Sequence, residues 1–162
     1  MILTVFTFVH VAISLIGIAT GLIVMAGFLA EKQLSGWSAW FLWSTALTSV
    51  TGYFFPYHGF KPSYVVGAIS LVFLALALFA LYQRKLSGGW RNTYVISAMI
   101  ALYLNVFVLI VQLFLKVPAL KALAPTQSEP PFKLTQLTVL ILFFLLTLFS
   151  AIRFRKTAVR TA

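Results

Sequence analysis

Apolar residues fill this chain in five long runs, and polar residues gather in the gaps. The runs are Ile2–Ala30, Trp37–Phe55, Tyr64–Tyr82, Asn92–Leu115 and Leu134–Ile152. A helix that crosses the hydrocarbon of a bilayer needs about 20 predominantly apolar residues. Each run reaches or approaches that length. None shows the strict alternation of a membrane β-barrel strand. The pattern predicts an all-α fold, an integral membrane bundle of five transmembrane helices in a single domain over residues 1–162.

The gaps carry turn chemistry. EKQLSG joins the first two runs, PYHGFKPS the next pair, and QRKLSGGWR the third and fourth, where Gly88 and Gly89 supply the bend. The last gap, KVPALKALAPTQSEPPFK, is longer and proline-rich. Connections of that length are often functional, and this one reads either as a rigid interfacial crossing or as a lid. Within it, Thr126 and Glu129 have capping-box spacing. Pro130 and Pro131 follow at once, which favours an extended segment or a turn.

Composition supports the membrane reading. Of 162 residues, 62% are hydrophobic and 9% charged, against about 25% charged in soluble domains. The first run has no Lys or Arg before it and is too long for a signal-peptide core, so it reads as a retained helix. The absence of cysteine removes disulfides, thiolate metal sites and cysteine nucleophiles. The formal net charge of +10 would suggest nucleic acid in a soluble protein. Here the cations flank the spans and form no basic stripe with interleaved aromatics. They suit anionic lipid headgroups, and no nucleic-acid partner is expected.

Basic residues also predict the orientation. Lys32, Arg84, Lys85, Arg91, Arg153, Arg155, Lys156 and Arg160 fall on one side, and only Lys61, Lys116, Lys121 and Lys133 on the other. The N-terminus is therefore expected outside and the C-terminus inside. Trp37, Trp40 and Trp90 would mark the inner interface, and Tyr53, Tyr57 and Tyr64 the outer one.

Polar groups within the runs need partners, since an unpaired amide in hydrocarbon costs several kcal/mol. His10, Ser14, Gly17 and Gly21 share one face of the first helix, and Gly17 and Gly21 form a GxxxG motif that lets another helix approach closely. Asn105 and Gln112 share a face of the fourth run. Thr45, Thr48, Ser49 and Gly52 lie on the second, and Gly67 and Ser70 on the third. A rise of about 1.5 Å per residue puts His10, Ser49, Ser70 and Gln112 in the outer half, and Gln136 can join them. Interhelical glue alone needs no such bias. A pocket open to the outside would produce it, lined by His10, Ser14, Ser49, Gly52, Ser70, Asn105 and Gln112, with His58 and Glu129 at its mouth.

The chemistry these residues allow is narrow. No Asp or Glu lies within a run, which argues against a proton-coupled transporter. There is no phosphate loop, GxSxG or HExxH, and no intramembrane carboxylate to orient His10 toward Ser14, so catalysis is not expected. His10 and His58 are the one possible pair of haem axial ligands, though His58 starts about 10 Å above His10. His10, His58 and Glu129 match no zinc or copper spacing. A histidine beside an amide would also suit a quinone.

The run WRNTYVISAMIALYLNVFVLIVQLFLKVPALKALAPTQSEPPF, with TGYFFP before it, resembles a widespread group of small bacterial membrane proteins described only as hypothetical. The resemblance implies a multi-pass protein of the bacterial inner membrane and no activity. Taken together, the sequence leads to a noncatalytic membrane protein that binds a small apolar or amphiphilic ligand, or a partner subunit, from the outer half. The alternatives are a redox protein holding haem b or a quinone through His10 and His58, and a small channel or transporter formed as a homo-oligomer through the GxxxG face.

Overall fold

The computed structural model describes residues 2–55 and 62–160, without the side chains of Pro62 and of residues 156–160. Six α-helices account for almost all of them: α1 Ile2–Leu29, α2 Ser35–Thr51, α3 Pro62–Leu78, α4 Trp90–Lys116, α5 Pro118–Leu123 and α6 Pro130–Arg160. A single 3₁₀ turn, Gly52–Phe54, prolongs α2, and a π-helical turn, Phe79–Gln83, prolongs α3.

Prolines set several of the ends. Phe55, ahead of Pro56, is extended at φ −69° and ψ 145° and stops the 3₁₀ turn. Val117, ahead of Pro118, is extended in the same way and ends α4, while Pro118 opens α5 at a position where a missing N–H is harmless. The bend before α4 differs from the sequence reading. Its left-handed residues are Lys85, Leu86 and Gly88, whereas Gly89 is right-handed helical at φ −64°. The π turn accounts for the shift: Arg84 N–H reaches back to Phe79 and Leu86 N–H to Ala80, so the reversal is under way before the glycines.

Among the described residues, four helices are long and apolar enough to cross a membrane: Ile2–Leu29, Ser63–Gln83, Trp90–Lys116 and Pro130–Arg155. The fifth predicted span appears as a 17-residue helix, α2, and its short 3₁₀ extension. The burial pattern is that of a protein dissolved in lipid. Trp40, Phe8 and Phe144 are exposed by 65%, 75% and 67%, while Ser38, Thr45, Ser97, Asn105, Gln136 and Ser150 are buried. In water such a surface would aggregate. In hydrocarbon it is the expected arrangement, with polar groups turned to the helix seams. Several hydroxyls are satisfied without any second helix: Thr20, Ser44, Thr51 and Thr147 donate to the carbonyl four residues back.

Helices α1, α2, α3 and α4 follow one another round a ring that α4 closes against α1, and α6 packs outside on α4 and α1. One end of the ring is tightly filled. Phe28, Phe41, Leu42, Tyr94, Met99, Leu102 and Phe154 are buried there, with Tyr94 and Phe154 both packed on the Phe28 ring. The Tyr94 hydroxyl donates to Ser38 Oγ at 2.9 Å. Arg91 donates to the Phe154 carbonyl at 3.0 Å and sits over its ring. Arg153 donates to the Leu29 carbonyl, one of the groups that the end of α1 leaves unpaired. The other end, where α1 begins and α4 stops, is not filled.

Candidate functional site: an end-opening cavity

The GxxxG motif fixes the depth at which the ring closes. A Cβ on Gly21 would lie 2.6 Å from Leu102 Cδ1 and 2.9 Å from the Phe41 ring, and one on Gly17 2.9 Å from Thr45 Oγ1. Both glycines therefore bring α1 hard against α2 and α4. This face is occupied within the chain, so assembly of copies through it would need the bundle to open.

Above Gly17 the helices diverge around a cavity of about 550 Å³. His10, Ser14, Ser49, Gly52, Ser70, Asn105 and Gln112 all line it. Ser70 and Asn105 are buried at its floor, and Tyr53, Ser63, Gln112 and Lys116 are exposed at its rim. Much of the wall is apolar: Val11, Leu15, Leu104, Val108, Leu109 and Leu113. Ligand sites commonly combine an apolar wall with a few fixed polar groups in a volume of about 300–1,000 Å³.

Hydrogen bonds order the polar groups in layers. At the floor, Ser14 Oγ donates to Asn105 Oδ1 at 2.9 Å, and Asn105 Nδ2 returns a long bond to the Ser14 carbonyl at 3.5 Å. Ser49 Oγ donates to Ser70 Oγ at 3.3 Å, tying α2 to α3. Thr48 Oγ1 is buried without a hydrogen-bond partner among the described residues. Higher up, His10 Nδ1 is 2.8 Å from Thr51 Oγ1, and Phe55 sets its ring edge-on to the imidazole at 5.0 Å between centroids. At the rim, the Tyr53 ring stacks on Tyr64 and its hydroxyl donates to the Tyr64 carbonyl at 2.6 Å, joining the end of α2 to the start of α3.

The His10–Thr51 contact allows either imidazole tautomer, and the Leu47 and Thr48 carbonyls beside the Thr51 hydroxyl favour one of them. Thr51 has one hydroxyl proton, directed at the Leu47 carbonyl at 2.7 Å. In the favoured tautomer its oxygen is an acceptor for His10, Nδ1 carries the proton and Nε2 keeps its lone pair. Among the described residues nothing bonds to Nε2.

His58, expected at the mouth, lies outside the described residues. Two other sequence expectations fall elsewhere. Glu129 is not part of the cavity wall. Its carboxylate accepts from Thr126 Oγ1 at 2.8 Å and from the Thr126 and Ser128 N–H groups, closing a turn ahead of α6. Slight desolvation opposes ionisation of Glu129, but these bonds prevail and hold its pKa below the ordinary value. Gln136 sits in the α4–α6 seam and donates to the Phe107 carbonyl. The long connection is a crossing anchored on α4 and α6 rather than a cover: Gln127 Nε2 donates to the Val111 carbonyl, Ala124 is buried, and Phe132 packs on Phe114.

Some wall residues carried too little signal to be singled out. Thr7 continues the His10–Ser14 stripe back by three residues, and that spacing alone could have included it. The contact of Thr51, which is not a wall residue, with His10 gave no such signal, because the register between α1 and α2 is not written in either helix. Among the described residues, no three His, Cys, Asp or Glu side chains gather as metal ligands. No protein family, curated protein or solved structure matches the chain. Its class is therefore the one that composition and helix length give, a multi-pass helical membrane protein.

Proposed function

We propose that this protein is a noncatalytic protein of the bacterial inner membrane that holds a small amphiphile in a cavity open to the outside. The observation that carries the reading is the cavity itself: a void of about 550 Å³ whose wall mixes aliphatic side chains with His10, Asn105, Gln112 and paired serines. An empty apolar void on that scale would forfeit packing around it, whereas Phe28, Phe41, Tyr94 and Phe154 are packed and buried at the opposite end.

The orientation is part of the proposal. Lys32, Arg84, Lys85, Arg91, Arg153 and Arg155 belong to the filled end, and Lys116, Lys121 and Lys133 to the cavity end, so the positive-inside rule turns the cavity outward. In this reading α2 is a fifth span. Its 17 residues rise about 25 Å as α-helix, and the 3₁₀ turn adds about 6 Å, close to a hydrocarbon thickness of about 30 Å.

Saturable binding of a radiolabelled decyl-chain amphiphile to the purified protein tests the proposal. The expected result is one site per chain, abolished when Val108→Trp fills the cavity. Partitioning with no saturation, or saturation indifferent to Val108→Trp, would overturn it. A second reading rests on His10, whose Nδ1 meets Thr51 while Nε2 has no partner among the described residues, as in an axial haem ligand. A Soret band that disappears in His10→Ala would favour that redox alternative.

A further inference from the structure

Two neighbouring features of the cavity bear on what it accepts. The first is Nε2 of His10, a bare acceptor in the tautomer that the Thr51 contact favours. At the floor Ser14 pairs with Asn105 and Ser49 with Ser70, while Thr48 Oγ1 is buried with no partner among the described residues. Nε2 in this tautomer can only accept, and no donor among the described residues meets it. A ligand that meets it must bring an O–H or N–H. A carboxylate or an ether oxygen would face it lone pair to lone pair.

The second feature is Gly52. It has ordinary right-handed helical angles, φ −57° and ψ −29°, so its backbone does not call for glycine. Nor does packing: among the described residues a Cβ there would meet only His10 Cε1, at 3.8 Å, an ordinary contact. Gly17 and Gly21, in contrast, have no room for a methyl group. The bare backbone of Gly52 therefore leaves the Cε1 edge of the imidazole uncovered by any side chain of that residue. Phe55, which also lines the cavity, stands edge-on to the same imidazole. Gly52, His10 and Phe55 thus share one part of the cavity wall.

We propose that His10 and Gly52 form a recognition site for a neutral phenolic head group of the quinol type, whose hydroxyl donates to His10 Nε2 while its ring lies over Gly52. An aliphatic tail then follows Val108, Leu109 and Leu113 along α4. A phenol satisfies both features at once: it supplies the missing proton donor, and it is flat. An alkyl alcohol supplies only the donor. This assignment rests on the ligand-binding reading above and concerns binding alone, with no electron transfer.

Three probes separate the possibilities: decylbenzoquinol kept reduced, its dimethyl ether, and decanol, each titrated into the purified protein in mild detergent. The wild type should bind the quinol about five- to tenfold more tightly than the ether, the worth of one neutral hydrogen bond. That preference should vanish in His10→Ala. Gly52→Ala should weaken both ring compounds and leave decanol unchanged. Equal binding of quinol and ether by the wild type would overturn the assignment. So would a preference that persists in His10→Ala, because it would then be steric. If the ether or decanol still binds saturably in either case, the cavity reading stands and only the phenolic head is lost. If none of the three binds, both fall.

Discussion

At the scale of single residues, the glycines and amides of the bundle differ by what they touch. Gly21 faces Leu102 and Phe41, both 1% exposed and unable to retreat. Gly21→Val should therefore destabilise the protein by about 1–3 kcal/mol through overpacking. Gly52→Ala, whose methyl would make an ordinary contact with His10 Cε1, should leave stability unchanged or raise it by up to about 1 kcal/mol through helix propensity. Reversible unfolding in mixed micelles measures both, and equal losses would contradict the packing described. The need of Asn105 for a partner was legible in the sequence, since an amide in hydrocarbon cannot stay unpaired. Its partner Ser14 was on the expected face of α1. The Thr51 support for His10 was not legible, because it depends on how far α2 slides along α1, a matter of packing between helices.

At the scale of elements, hydrophobic length located the helices well, and the prolines at positions 56, 118 and 130 marked where they break or begin. Missed were the short helix α5 and the π turn of α3, features too brief for a periodicity to reveal. The Thr126–Glu129 spacing was seen, but its geometry is a turn closed by the Glu129 carboxylate, with α6 starting after it. The status of α2 bears most on topology. The chain has no cysteine of its own, so each introduced thiol reports alone. Ser35→Cys and Ser63→Cys bracket α2 at exposed positions. If α2 crosses the membrane, an impermeant maleimide added to intact cells should label Ser63→Cys and spare Ser35→Cys until the cells are opened. Labelling of both from one side would show that α2 does not cross.

At the scale of the whole molecule, the two ends of one ring of helices have different tasks. One is locked by aromatic packing and by Arg91 and Arg153, and the other encloses a cavity. The gathering of polar residues toward one end of the helices was readable from depth counts along the runs, and the structure brings His10, Ser49, Ser70 and Gln112 round one void, leaving Gln136 in the α4–α6 seam. The ligand was not readable, since hydroxyls and amides in hydrocarbon look the same whether they serve a neighbour or a guest. The most direct measurement is native mass spectrometry of the protein extracted gently from its own membrane, beside Val108→Trp. The account predicts a single small-amphiphile adduct on the wild type that is missing from the filled variant. Identical spectra for the two, with only bulk phospholipid attached, would contradict it.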